Sequence, residues 1–92
     1  MNFFEIPQKG MTVLTKSKCI NCEKLKGYLF NKNIEFNPIH CDEYYKNEES
    51  TKQLRDYFKI LTGKTNNSYP MVFLNGVYLG GYYNVLDYYG DF

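Results

Sequence analysis

The chain has 92 residues, 43% of them hydrophobic and 23% charged, with a formal net charge of +1. That length supports one domain with a small core, and that composition excludes a disordered chain. The near-neutral charge supplies no basic field for nucleic acid. No apolar run is long enough to cross a bilayer, and the start lacks a cationic stretch followed by a long apolar one, so a cytoplasmic monomer is expected.

Residues 1–10 carry no period. Pro7 and Gly10 punctuate them, and they read as a lead-in whose Phe3, Phe4 and Ile6 pack on the body. Met11 to Thr15 is a β-prone run and gives the first strand. Lys16-Ser17-Lys18 forms the loop out of it. From about Ile20 to Lys32 the pattern turns helical, with Leu25, Tyr28 and Leu29 at i, i+3, i+4 and Asn31 to Asn33 as the stop. Ile34 to Ile39 alternates apolar and polar as a second strand would, with Pro38 limiting its pairing near the end. His40 to Ser50 is polar and reads as a loop. A second helix carries Leu54, Tyr57, Phe58 and Leu61 on one face, with Ser50 or Thr51 as N-cap and Gly63 as its stop.

Met71 to Leu74 and Val77 to Leu79 flank Asn75-Gly76, the strongest short-range signal for an antiparallel hairpin. Gly80-Gly81 closes the second of these strands. A last helix puts Tyr82, Val85, Leu86 and Tyr89 on one face, and Tyr83 off it. The predicted order is β-α-β-α-β-β-α in a single domain over residues 1–92. Strands one and two, joined by a helix, should be parallel with a right-handed crossover.

One stretch carries chemistry. Cys19-Ile20-Asn21-Cys22 sets two thiols three positions apart, after a strand and at the opening of a helix. Unpaired N–H groups and the dipole at that helix end favour a thiolate on Cys19, and Lys16 and Lys18 push the same way. Cys22 is then within reach of a mixed disulfide made by Cys19. The same spacing also fits half a zinc site or two unrelated core cysteines. The chain has three cysteines, an odd number that does not suit a disulfide-stapled domain. A Cys₃His zinc site would need Cys19, Cys22, His40 and Cys41. However, adjacent residues on an extended segment point to opposite faces, so His40 and Cys41 converge poorly on one ion. No metal is therefore expected, and Cys41 reads as a semi-exposed loop thiol open to glutathionylation.

Four marks in register resemble the glutaredoxin branch of the thioredoxin superfamily. Cys19 and Cys22 open the first helix, and Lys16 stands three before the first cysteine. Ser68-Tyr69-Pro70 precedes the third strand, and Gly80-Gly81 precedes the last helix. The resemblance spans essentially the whole chain and implies a thioredoxin-like α/β fold, a four-stranded mixed sheet with helices on both faces. It implies a dithiol enzyme in which Cys19 is the nucleophile and Cys22 resolves the mixed disulfide. It implies a cis peptide before Pro70, with the Tyr69 backbone pairing glutathione in β fashion. Lys16 would hold a glutathione carboxylate, Gly81 would let the last helix approach the γ-glutamyl carboxylate, and Tyr83 would be an aromatic at the cleft.

The departures are local. Ile20-Asn21 replaces the usual Pro-Tyr or Pro-Phe. Asn84 stands near where many members carry an acid for the γ-glutamyl ammonium, and offers a neutral hydrogen bond in its place. Cys22 argues against the monothiol, cluster-carrying branch. The expected function is a glutathione-dependent thiol–disulfide oxidoreductase acting on protein disulfides and glutathionylated proteins. Two alternatives stand beside it. One is an electron donor fed by thioredoxin reductase and serving one partner such as ribonucleotide reductase. The other is a non-enzymatic metal, cluster or assembly module on the same fold.

Overall fold

Met11–Thr15 forms β1, fully buried along its length, and is the first strand of a computed structural model that describes residues 3–91. Met1 and Asn2 of the lead-in, and Phe92, lie outside the described residues. The remaining elements are α1 (Ile20–Asn31), β2 (Asn37–His40), a 3-10 turn at Asp42–Tyr44, α2 (Glu48–Thr62), β3 (Met71–Leu74), β4 (Val77–Gly80) and α3 (Tyr82–Tyr88). The sheet order is β2-β1-β3-β4. β1 and β2 are parallel, with Val13 opposite Pro38, and the other two pairings are antiparallel. This is the predicted α/β architecture.

The alternation of β1 splits the core in two. Leu14 packs with Leu54, Tyr57 and Phe58 of α2 and with Met71 and Phe73. Met11 and Val13 point the other way, against Leu25 and Leu29 of α1 and Val85 of α3. Phe3, Phe4 and Ile6 of the lead-in pack against the α2 side, as expected. Phe4 also accepts a hydrogen bond from the Tyr57 hydroxyl at its carbonyl oxygen.

Three boundaries differ from the reading of the sequence. The second strand starts at Asn37, not Ile34. Asn33 takes a left-handed conformation at φ 57° and the Ile34 N–H turns back to the Leu29 carbonyl at 2.9 Å. Ile34 and Phe36 then cover the end of α1 as part of the core instead of joining the ladder. The segment from His40 to Ser50 is not all loop, since it holds the 3-10 turn and the start of α2. The N-cap of α2 is Asn47, not Ser50 or Thr51. Its Oδ1 accepts from the Ser50 N–H at 2.8 Å, and Ser50 Oγ accepts from the Asn47 N–H at 3.0 Å. Ser50 is thus the third helical residue of a reciprocal cap, which short polar side chains at both ends permit.

The hairpin turn forms as expected. Asn75 and Gly76 sit at φ 52° and 84°, the pair of positive values that a two-residue turn between twisted strands requires. Asn75 also clasps the lead-in, giving its N–H to the Gly10 carbonyl at 2.8 Å and accepting from the Gly10 N–H at 2.9 Å.

Candidate active site

Cys19 is the N-cap of α1, and it is bonded to Cys22 in a disulfide with Cα atoms 5.2 Å apart. The Cys22 N–H donates to Cys19 Sγ at 3.1 Å. A serine or aspartate commonly fills this capping role, so here the sulfur satisfies one of the helix's orphan donors. A backbone N–H at the start of a helix is a donor of the kind that favours negative charge on a cap sulfur. Cys19 is half-buried and Cys22 fully buried, so the first sulfur is the one within reach of solvent.

The loop that delivers Cys19 is held by Asp42, a residue with no signal in the local sequence. Ser17 donates its N–H to both Asp42 carboxylate oxygens, at 3.1 and 3.2 Å, and its hydroxyl to one of them at 2.6 Å. These bonds, with Lys16 nearby, hold the Asp42 carboxyl below the usual carboxylate range. Lys18 completes the turn in a left-handed conformation at φ 56°. Ser17 and Asp42 are 25 residues apart, and only the parallel pairing of β1 with β2 brings the two loops side by side.

The Tyr69-Pro70 peptide bond is cis. One cleft gathers Asn21 of the Cys-x-x-Cys with Tyr69, Pro70, Gly81, Tyr83 and Asn84. Five of the six predicted binding residues therefore meet beside the dithiol. Lys16 is the exception. Its ammonium lies over the Tyr45 ring, 4.8 Å from the centroid, and Tyr45 meets the Tyr69 hydroxyl at 2.7 Å. Tyr45 and Tyr69 belong to a second cleft with Arg55, which shares Asn66 and Tyr69 with the first. Sequence reading misses Tyr45 and Arg55. Tyr45 stands in a stretch with no period, and Arg55 looks like any exposed cation on a helix.

Two details revise the glycine end. Asn84 Oδ1 accepts from the Gly81 N–H at 2.9 Å, so its oxygen is already engaged in capping α3. The glycine that the turn demands is Gly80, at φ 136°, where a Cβ would collide with the Asn84 side chain. At Gly81 a Cβ would rest 3.5 Å from the Pro70 carbonyl, an ordinary contact.

Cys41 is not semi-exposed. It is fully buried, its thiol donates to the Ile39 carbonyl at 3.7 Å, and burial pushes that thiol up to about 11. The reading as a glutathionylation target is overturned, because β2 ends by turning His40 outward and Cys41 into the core. Among the described residues no group of three or more His, Cys, Asp or Glu could hold a metal ion.

No protein-family model matches the chain, and no curated protein matches it. Solved structures do. A buckwheat glutaredoxin, solved as a complex with glutathione, matches 89% of this chain and 69% of its own at a TM-score of 0.69 and 21% identity. A dithiolic glutaredoxin from Trypanosoma brucei brucei matches 90% of this chain and 81% of its own, with a TM-score of 0.63 and 22% identity. A glutaredoxin from Brucella melitensis matches at 26% identity and a TM-score of 0.60, over 89% of this chain and 82% of its own. The chain thus has the glutaredoxin fold. With a bonded Cys-x-x-Cys capping its first helix, it has the architecture of a dithiol thiol–disulfide oxidoreductase.

Proposed function

We propose that the chain is a glutathione-dependent thiol–disulfide oxidoreductase that reduces glutathionylated proteins and protein disulfides. The observation that carries this reading is the Cys22 N–H aimed at Cys19 Sγ, beside a cleft floored by a cis proline. In the reduced protein the Cys19 thiolate attacks the glutathione sulfur of a mixed disulfide. A Cys19–glutathione disulfide forms, and the target protein leaves as a thiolate. A second glutathione thiolate then attacks the bound glutathione sulfur, giving oxidised glutathione and restoring the Cys19 thiolate. With a protein disulfide as substrate, Cys22 attacks Cys19 Sγ instead, releases the target and closes the Cys19–Cys22 bond.

Glutathione is a short peptide with a carboxylate at each end. In this reading its middle pairs with the Tyr69 backbone. One end lies toward the cationic side, where Lys16 and Arg55 flank Tyr45, and the other toward Gly81, Tyr83 and Asn84. The contact of the Lys16 ammonium with the Tyr45 ring, itself hydrogen-bonded to Tyr69, supports its assigned role, because an aromatic face holds a cation without neutralising it.

The test is reduction of a glutathionylated peptide with glutathione as electron source. Cys19→Ser should abolish turnover. Cys22→Ser should keep it while losing reduction of a protein disulfide. Full activity in Cys19→Ser would overturn the assignment. A second reading, an electron donor fed by thioredoxin reductase and serving a partner such as ribonucleotide reductase, draws on the engaged Asn84 oxygen, which leaves the γ-glutamyl ammonium a weaker acceptor. NADPH consumption measured with each reducing system separates the two.

A further inference from the structure

Two adjacent tyrosines go separate ways after the 3-10 turn. Tyr44 packs its ring against Phe3 and Phe4. Tyr45 is half-buried and reaches Tyr69, with the two hydroxyls 2.7 Å apart. Tyr69 lines both clefts and is braced edge-on by Phe58, with ring centroids 5.9 Å apart. The Tyr45 ring is therefore set beside the residue that precedes the cis proline.

On the face of that ring lies the Lys16 ammonium, 4.8 Å from the centroid. At this distance the negative face of an aromatic ring attracts a cation. One residue sets both partners. Asp42 accepts the Tyr45 N–H at its backbone carbonyl, 3.2 Å away, and its carboxylate takes the N–H and hydroxyl of Ser17, the neighbour of Lys16. Both Asp42 oxygens are engaged by Ser17, and Lys16 forms no ion pair among the described residues. The ammonium is thus held by a ring that leaves its charge in place for an incoming anion.

A lysine on an exposed loop gives up side-chain freedom when it grips a ligand, and that loss is why exposed ion pairs gain so little. A ring that already holds the ammonium removes part of the loss before the ligand arrives. We propose that Tyr45 is a positioning residue for substrate binding, an aromatic platform that holds Lys16 for the glycine carboxylate of glutathione. The ring carries the effect, because the ring face and not the hydroxyl meets the ammonium. The proposal deepens the glutathione reading and rests on it.

The probe is one peptide, carried as a mixed disulfide either with glutathione or with glutathione whose glycine carboxylate is an amide. The ratio of kcat/KM for the two, measured on the full chain at fixed glutathione, is its preference for the carboxylate. Wild type should prefer the acid about fivefold, as a well-placed exposed ion pair would. Lys16→Met should bring the ratio below about twofold. Tyr45→Leu should do the same with Lys16 intact, and should cost nothing more in the Lys16→Met background. Tyr45→Phe keeps the ring face and should stay within about twofold of wild type. A general loosening of the fold would slow both substrates together and leave the ratio alone. Turnover of neither substrate, a wild-type ratio near one, or a ratio unmoved by Lys16→Met overturns the glutathione-carboxylate reading and the platform with it. A ratio that falls in Lys16→Met but persists in Tyr45→Leu, falls as far in Tyr45→Phe, or drops further in the double variant overturns the platform alone. Nuclear magnetic resonance of the wild-type chain tests the platform even if Tyr45→Leu does not fold. The ring current should move the Lys16 Hε resonances upfield of those of Lys18, and coincident resonances would overturn it.

Discussion

Cysteine 41 illustrates how one residue's environment separates it from its chemical twins. All three thiols have the same intrinsic chemistry, but Cys19 caps a helix at the surface and Cys41 lies in the core behind Tyr69. Burial raises the Cys41 thiol, the Asp42 and Glu43 charges add to the rise, and a Tyr69 hydrogen bond opposes it. In reduced native protein at pH 8, iodoacetamide should modify Cys19 and leave Cys41 untouched until denaturant is added. Peptide mapping checks this, and early labelling of Cys41 would contradict the burial. The sign of the pH dependence follows. The folded value of about 11 lies above that of an unfolded thiol, about 8.5. The folded state therefore holds its proton longer, and the stabilisation is complete below the lower value and lost as pH rises through the higher one. Urea midpoints should decline between those values, and less steeply in Cys41→Ala. Part of the slope should survive there, because burial also raises Tyr45 and Tyr69.

At the scale of elements, α2 shows what caps contribute. The Asn47–Ser50 exchange of hydrogen bonds satisfies donors that would otherwise be left to water, and Thr51 Oγ1 adds a bond to the Asn47 carbonyl at 2.8 Å. Asn47→Ala should cost about 1 kcal/mol, which for a domain of this size lowers the melting temperature by roughly 4–8 °C. Thermal unfolding followed by circular dichroism reads it, and an unchanged midpoint would show the cap to be idle. The apolar stripe of α2 is plain in the sequence because Leu54, Tyr57 and Phe58 recur at helical spacing, and all three are buried. Its start is not, because Asn47, Ser50 and Thr51 are all good capping residues and only the fold decides among them. The start of the second strand is hidden for a related reason. Ile34 and Phe36 alternate as strand residues do, but their burial comes from covering the end of α1.

As a whole, the molecule is a sheet with a separate core on each face, and the lead-in closes one of them. Phe3 and Phe4 meet Tyr44 and Tyr57 with ring centroids 5.3–5.9 Å apart. Phe4→Ala removes a half-buried ring, and should cost about 2 kcal/mol, somewhat less than for a fully buried one. Urea denaturation measures this, and a loss near zero would mean that the segment merely rests on the body. Much of this architecture is legible in the chain, since Asn75-Gly76, Gly63 and the strand–helix alternation each act over a few residues. The dithiol and its proline are legible as well, because their spacing and neighbours are local. Asp42, Tyr45 and Arg55 are not. Each matters through a residue or face brought to it by strand pairing or helix packing, and no local pattern marks such a meeting.

Pro38 has a last consequence, for colloidal behaviour. β2 is an outer strand, and the Cys41 N–H reaches inward to the Thr15 carbonyl at 2.9 Å. Counting back by twos, the amides of residues 39 and 37 face inward as well, so position 38 faces the open side. A ring nitrogen without hydrogen stands where a recruited chain would need a donor. The exposed flank is missing a rung there, a feature that disfavours edge-on recruitment of another chain.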